Sequence, residues 1–174
     1  GETYNIQCGE QNLPGKKIQH SPGWKASQTF QRVEATDGDM AMADGLAATK
    51  TIELMKRHRA EPFFIACGFV RPHVPLVAPE SYFRKYPESE ITLPKVPVDD
   101  LDDVGQATRT YKTNQSLQIT TEQMPGILSA YYGCVTHMDF QVGRLLDALD
   151  ALDLKQKTLV VFSSDHGYHL GEHH

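Results

Sequence analysis

The sequence has few cysteines and no apolar run long enough to cross a membrane. Its three cysteines, Cys8, Cys67 and Cys134, are too few and too scattered for a disulfide framework or a cysteine-rich metal site. The longest apolar run, residues 63–70, is less than half the length that a bilayer span requires. The first residues also lack the basic and apolar regions of a signal peptide. Neither a disulfide scaffold nor a membrane-bound protein is therefore indicated.

The chain has no excess of positive charge either. Its formal net charge is −5 and its lysines and arginines are dispersed, so no basic patch indicates a nucleic acid or an anionic membrane as partner. A hydrophobic content of 40% and a charged content of 22% are those of an ordinary globular protein. The length of 174 residues suits a single domain with a real core.

Hydrophobic periodicity predicts alternating strands and helices. Residues 39–58 and the longer stretch from Leu128 to Leu152 show helical spacing. The apolar runs 63–70 and 158–162 read as buried strands of parallel type. The expected fold class is therefore α/β, with a mostly parallel sheet flanked by helices. Because two strands make a small sheet, we expect the other strands to lie outside this chain.

The remaining segments read as less regular. Residues 1–35 are polar, lack a convincing periodic element and are interpreted as an irregular excursion preceding a core segment over 36–174. The three prolines of residues 71–79 predict a stiff extended loop, and residues 79–86 predict a short helix with proline in its first turn. Residues 87–120 read as a long surface loop.

A candidate metal site follows the run 158–162. Asp165 and His166 come directly after this apolar run, and ligands bind outside the carboxyl ends of strands in open α/β sheets. A carboxylate oxygen and a neutral imidazole nitrogen can share one metal ion. The alternative is an aspartate that caps the next segment beside a surface histidine. His166, His169, His173 and His174 could also form an opportunistic transition-metal cluster.

A second candidate lies beyond the other apolar run. His73 stands between Pro72 and Pro75, just past residues 63–70, and flanking prolines pre-organise such a side chain. If the sheet is parallel, His73 and the Asp165–His166 pair lie at the same sheet edge and converge on one crevice. A lone histidine in a loop is otherwise ordinary solvated surface.

Taken together, these stretches resemble the sulfatase family of the alkaline-phosphatase superfamily, and most closely the iduronate-2-sulfatase-like enzymes. The resemblance covers roughly residues 35–173. Its motifs are Pro62-Phe-Phe-Ile-Ala-Cys-Gly-Phe-Val-Arg-Pro-His-Val-Pro75, Ala78-Pro-Glu-Ser-Tyr-Phe83, the helix from Tyr131 to Leu149, and Thr158-Leu-Val-Val-Phe-Ser-Ser-Asp-His-Gly-Tyr-His-Leu-Gly-Glu-His173.

The resemblance implies a sulfuric ester hydrolase acting on sulfated sugars. It implies that Asp165 and His166 ligate a divalent cation, usually calcium, and that His73 binds the sulfate ester or helps to protonate the leaving group. Arg71 and His169 are the additional substrate-binding candidates. The family's early Asp-Asp pair and its Cys/Ser-x-Pro-x-Arg segment, the source of the formylglycine nucleophile, do not occur in this sequence. We therefore expect an internal fragment of an incomplete sulfatase-like fold, inactive alone.

Several alternatives stay open. Because calcium prefers oxygen ligands, an aspartate and a histidine suit manganese or zinc equally well. The same superfamily includes phosphodiesterases and phosphonate hydrolases, which makes phosphate-ester hydrolysis a second candidate. A non-catalytic truncated domain that associates with a partner, with the remaining strands of the fold or with another copy, is the third. The resemblance implies a periplasmic or secreted protein.

Overall fold

The computed structural model describes residues 14–19, 30–36, 38–106 and 119–172. Within these ranges the regular elements are three short strands, three α-helices and a few single 3₁₀ turns.

The three strands form one small mixed sheet in the order β1–β2–β3. Strand β1 (Gly15–Gln19) pairs antiparallel with β2 (Gln31–Ala35), and β2 pairs parallel with β3 (Leu76–Pro79). The interpretation of residues 1–35 as irregular is therefore wrong for β1 and β2. Both strands are mostly polar and only five residues long, so their signal is weak; in β2 the alternation is limited to the two buried residues Val33 and Ala35.

The predicted loop over residues 71–79 is also wrong in its second half. Residues Leu76–Pro79 form strand β3, whose residues Leu76, Val77 and Ala78 are buried. Proline is tolerated there because β3 lies at the end of the described strand order and Pro79 is its last residue. The loop proper is thus confined to residues 71–75 and enters β3 directly.

The helices agree with the periodicity. Helix α1 (Ala43–His58) follows a 3₁₀ turn at Asp39–Ala41 and ends with Lys56, Arg57 and His58, which suits the helix dipole. Helix α2 (Glu80–Phe83) is shorter than the predicted 79–86. Helix α3 (Met124–Ala151) begins four residues before the predicted Leu128 and carries proline at its start.

The buried face of α3 follows the predicted stripe only in part: Leu128 and Leu149 of the stripe are buried. Fully buried positions follow the line Ala130, Cys134, His137 and Gln141, whereas Tyr131, Val135, Met138, Val142 and Leu145 of the stripe are only half-buried. The reason lies in the neighbours, because α3 packs on α1, α2 and β3 through the first line. His137 and Gln141 on this line are polar, so a pattern of apolar residues does not predict that the line is buried.

The apolar runs 63–70 and 158–162 are not hydrogen-bonded strands in the described structure, contrary to prediction. Exposure nevertheless alternates along residues 63–70, as it does along a strand. Phe63 and Ile65 pack against Met55 and Leu149 of the helices, while Phe64 is 94% exposed. One face of this run is thus covered by helices and the other is bare.

Helices packed on a small sheet confirm the α/β class, although the described sheet has one parallel and one antiparallel pairing rather than a mostly parallel order. The common edge predicted for His73 and Asp165 stays a prediction, because neither preceding run belongs to this sheet. No helix in the described ranges has the length and apolar character needed to cross a membrane.

Candidate active site

His73 lies exposed on a tight turn between the run 63–70 and β3. Its backbone N–H donates to the carbonyl of Val70 at 2.9 Å, and its Nδ1 lies 2.6 Å from the carbonyl oxygen of Val74. A carbonyl can only accept, so Nδ1 carries the proton and Nε2 is the ring nitrogen left for other chemistry. The peptide bonds before Pro72 and Pro75 are both cis. The turn thus fixes the tautomer of the candidate catalytic residue.

Arg71, predicted to bind substrate, is 4% exposed and faces its own loop. One terminal nitrogen of its guanidinium donates to the carbonyl oxygens of His73, at 2.5 Å, and of Pro75. On the other side, the carboxylate of Asp44 accepts from the backbone N–H groups of Val70, at 2.7 Å, and Arg71, at 3.1 Å. Burial and these bonds describe a structural anchor, and substrate binding by Arg71 stays a prediction.

Asp165 and His166 are exposed, and their side chains lie on the same side of the chain. Oδ2 of Asp165 is 3.6 Å from Nε2 of His166, and Oδ1 accepts from the backbone N–H of His166 at 2.9 Å. One hard oxygen and one imidazole nitrogen suit half of a divalent-metal site. No group of three His, Cys, Asp or Glu side chains suited to a metal occurs among the described residues, so further ligands would come from elsewhere.

The segment after this pair adjoins the core that carries the His73 loop. The ring of Tyr168 lies 5.9 Å from the ring of Tyr131 on α3 and 5.9 Å from that of Phe30, both edge-on. Tyr131 and Phe30 pack against the cluster that includes Val74, the residue after His73. His169 is exposed beside Tyr168, whereas His173 and His174 lie outside the described residues, so the predicted histidine cluster is not described.

A buried polar group between α1, α2 and α3 has no counterpart in the sequence analysis. His137, fully buried, lies 3.6 Å from Asp39 and 3.2 Å from the side-chain amide of Gln141, with its ring edge-on to Tyr82 at 5.3 Å. Arg144 donates to Gln141 Oε1 at 2.7 Å, so the Gln141 amide N–H₂ donates to His137 Nε2. The contacts of His137 with Asp39 and Tyr82 are tertiary, and no local pattern predicts them.

Burial sets the protonation of this group. It lowers the pKa of His137 below its ordinary value even though the carboxylates of Asp39 and Asp44 oppose the shift. Burial, followed by the hydrogen bond to Asp39, raises the pKa of Tyr82. His137 is therefore held neutral and Tyr82 protonated, which suits a structural junction.

Comparison with known proteins decides the family. The sulfatase family model matches residues 5–174. The chain belongs to the sulfatase family. It is 38% identical over 141 residues to a sulfatase of Formosa agariphila, covering 78% of this chain and 28% of that protein. It is 36% identical over 148 residues to human iduronate 2-sulfatase, covering 76% of this chain and 27% of that enzyme. Identity to choline-sulfatase of Rhizobium meliloti is 31%, over 73% of this chain and 26% of the relative.

The sulfatase resemblance expected from the motifs is thus confirmed. The chain spans about a quarter of the length of the curated relatives that it matches.

Proposed function

We propose that the natural polypeptide in which this chain occurs is a sulfuric ester hydrolase. The proposal rests above all on the family match, which extends across the loop of His73 and the pair Asp165–His166. The fixed tautomer of His73 supports it, as does the packing of the Tyr168 segment on the cluster that contains Val74. In this proposal His73 is catalytic and Asp165 and His166 are metal ligands.

His73 is suited to act on the leaving group. A hydroxyl of hydrated formylglycine, expected elsewhere in the natural polypeptide, would lose its proton to a base and form a bond to sulfur while the bond from sulfur to the ester oxygen breaks. Because the Nδ1–H of His73 is held by the carbonyl of Val74, Nε2 is the atom from which a proton would pass to the departing ester oxygen. Exposure of His73 leaves Nε2 accessible to a substrate.

Asp165 and His166 would hold the cation. Its chemistry, once bound, would be to neutralise the negative charge of the sulfate group. Calcium would need further oxygen ligands beyond Asp165, because it takes six to eight of them, whereas zinc or manganese accepts the imidazole more readily. We propose calcium for the natural polypeptide, with the missing oxygen ligands supplied outside this chain, and His169 as a substrate contact.

The substrate we propose is a sulfated sugar, since an iduronate 2-sulfatase is among the most similar relatives. A second candidate, left open by the superfamily resemblance, is phosphodiester or phosphonate hydrolysis. The chain is also 27% identical to a multifunctional alkaline-phosphatase-superfamily protein of Trinickia caryophylli. The lower identity of that match favours the sulfatase alternative.

The bare face of the two apolar runs indicates where the rest of the fold would lie. Phe64 is 94% and Leu159 90% exposed, and Val161 and Phe162 are exposed as well. We infer that further strands of the same domain, outside residues 36–174, cover these side chains in the natural polypeptide. A second copy, or a partner of a non-catalytic domain, is the alternative occupant.

The test is hydrolysis of p-nitrocatechol sulfate and of bis-p-nitrophenyl phosphate by the natural polypeptide, its His73→Ala variant and a His58→Ala control. His58 is a histidine at the end of α1 that pairs with Glu61. We expect sulfate turnover that His73→Ala lowers by a factor on the order of 10²–10⁴ and that His58→Ala leaves intact. Preference for the phosphodiester would support the second candidate, and turnover of neither substrate would support the non-catalytic domain.

A further inference from the structure

The loop of His73 is held by two buried charged side chains of opposite sign. Asp44 projects from the first turn of α1, is 1% exposed, and accepts from two successive backbone N–H groups, those of Val70 and Arg71. These bonds link residues 26 and 27 positions apart in the chain. We call the side chains of Asp44 and Arg71 together the clamp. Through Asp44, the clamp attaches the backbone that immediately precedes the His73 turn to helix α1.

Arg71, the positively charged residue of the clamp, holds the backbone around and after His73. The buried guanidinium of Arg71 donates to the carbonyl oxygens of His73 and Pro75. Proline has no N–H, so Pro72 and Pro75 cannot secure this loop through donated backbone bonds. The side chains of Asp44 and Arg71 take over this task for four backbone groups between residues 70 and 75.

We propose that Asp44 and Arg71 are positioning residues that set the location of the His73 imidazole. This inference rests on the proposed function, since it assigns to His73 a role whose geometry matters. Catalytic groups require placement to within a fraction of an ångström, and they obtain it from supporting hydrogen bonds to their own segment. Arg71 then acts through the backbone of the loop and not by touching substrate.

The charge of the two residues points to geometry more than to stability. Buried charges are costly to desolvate, and apolar side chains of similar size often stabilise a core as well or better. Charged donors and acceptors, in contrast, make short and directional hydrogen bonds. The His73 loop contains two prolines and therefore has few backbone N–H donors of its own, so directional hydrogen bonds with Asp44 and Arg71 can define its geometry.

The experiment compares Asp44→Asn and Arg71→Met with Arg71→Lys in the natural polypeptide, using p-nitrocatechol sulfate. Matched controls are Asp150→Asn and Arg84→Met, which alter exposed residues that pair with Lys155 and Glu80. We expect Asp44→Asn and Arg71→Met to lower kcat by a factor on the order of 10² with KM unchanged. Arg71→Lys keeps a charged donor and should recover a large part of kcat, and the controls should match the wild type.

The outcomes separate the two proposals. If His73→Ala itself retains full turnover, the proposed function of His73 fails. If His73→Ala abolishes turnover while Asp44→Asn and Arg71→Met keep the wild-type kcat, the positioning proposal is refuted and the proposed function of His73 stands. A rise in KM with kcat unchanged for Arg71→Met would also overturn it, since that result describes a substrate contact.

If a variant fails to fold, a second measurement, made on the unmodified protein, still tests the proposal. Hydrogen exchange at the amides of Val70, Arg71 and His73 reports how firmly the loop is held. The clamp predicts slow exchange for the first two, which donate to Asp44, and for His73, which donates to Val70. Exchange as fast as that of the exposed residues 165–167 would contradict the proposal.

Discussion

Two glycines of helix α3 give opposite predictions for the same substitution. A Cβ on Gly133 would run into the ring of Phe83, with Cε1 at 3.0 Å and the backbone Cα at 3.3 Å, whereas no described residue would lie within 4 Å of a Cβ on Gly143. Alanine gains about 1 kcal/mol over glycine inside a helix. Overpacking costs about 1–3 kcal/mol, and Phe83 is fully buried, so its ring has little room to move.

We therefore expect Gly143→Ala to stabilise by about 1 kcal/mol. Gly133→Ala should destabilise by up to about 2 kcal/mol once the helix gain is subtracted from the packing cost. Gly143→Ala should therefore raise Tm and Gly133→Ala should lower it relative to the unmodified protein.

The assay is thermal and urea unfolding of both variants in the natural polypeptide. A third variant, Gly133→Ala combined with Phe83→Leu, reports whether the clash is with that ring, because the coupling between the two changes should be favourable. Equal stabilisation by Gly133→Ala and Gly143→Ala would refute the packing of α3 on α2 described here.

Three further predictions concern protonation, turnover and metal binding. Burial lowers the folded-state pKa of His137 below 6.5, so the unfolded state binds the proton more readily, and the stability that neutral His137 contributes is complete above pH 6.5 and is lost as pH falls below it. In urea unfolding, His137→Phe should lose less stability than the wild type over this pH range, and an unchanged pH dependence would contradict the burial of a neutral His137. The 174-residue chain alone should not hydrolyse p-nitrocatechol sulfate, and turnover above a no-protein control that His73→Ala abolishes would show otherwise. In calorimetric titration the chain alone should bind calcium in the millimolar range or weaker and zinc more tightly, and micromolar calcium binding that Asp165→Ala removes would contradict the half-site.

The helices could be predicted because their signal is local. Periodicity and terminal charges located α1 and α3 to within a few residues of their ends. Strands depend on partners elsewhere in the chain, so the sequence pattern failed in two ways: it missed mostly polar strands and it predicted strands in apolar runs. β1 and β2 form from mostly polar residues because β2 pairs with both β1 and β3 and buries Val33 and Ala35. The apolar runs 63–70 and 158–162 lack a partner strand in the described structure.

The candidate site divides in the same way. Adjacency along the chain brings Asp165 and His166 together, so the sequence alone predicts that half-site. The anchoring of the His73 loop by Asp44 joins residues 26 positions apart, and nothing in either segment indicates that they meet. The burial of Arg71 is likewise a consequence of tertiary packing, which the local sequence does not indicate.

The central claim is that His73 and the Asp165–His166 pair belong to one metal-containing site. The most direct test records the imidazole NMR signals of the natural polypeptide with ¹³C-labelled histidine, before and after addition of paramagnetic Mn²⁺. His73, assigned by comparison with His73→Ala, should broaden, and Asp165→Ala should remove the broadening. His58, at the end of α1 and paired with Glu61, should stay sharp. A sharp His73 signal at saturating Mn²⁺, or broadening that survives Asp165→Ala, would contradict the account.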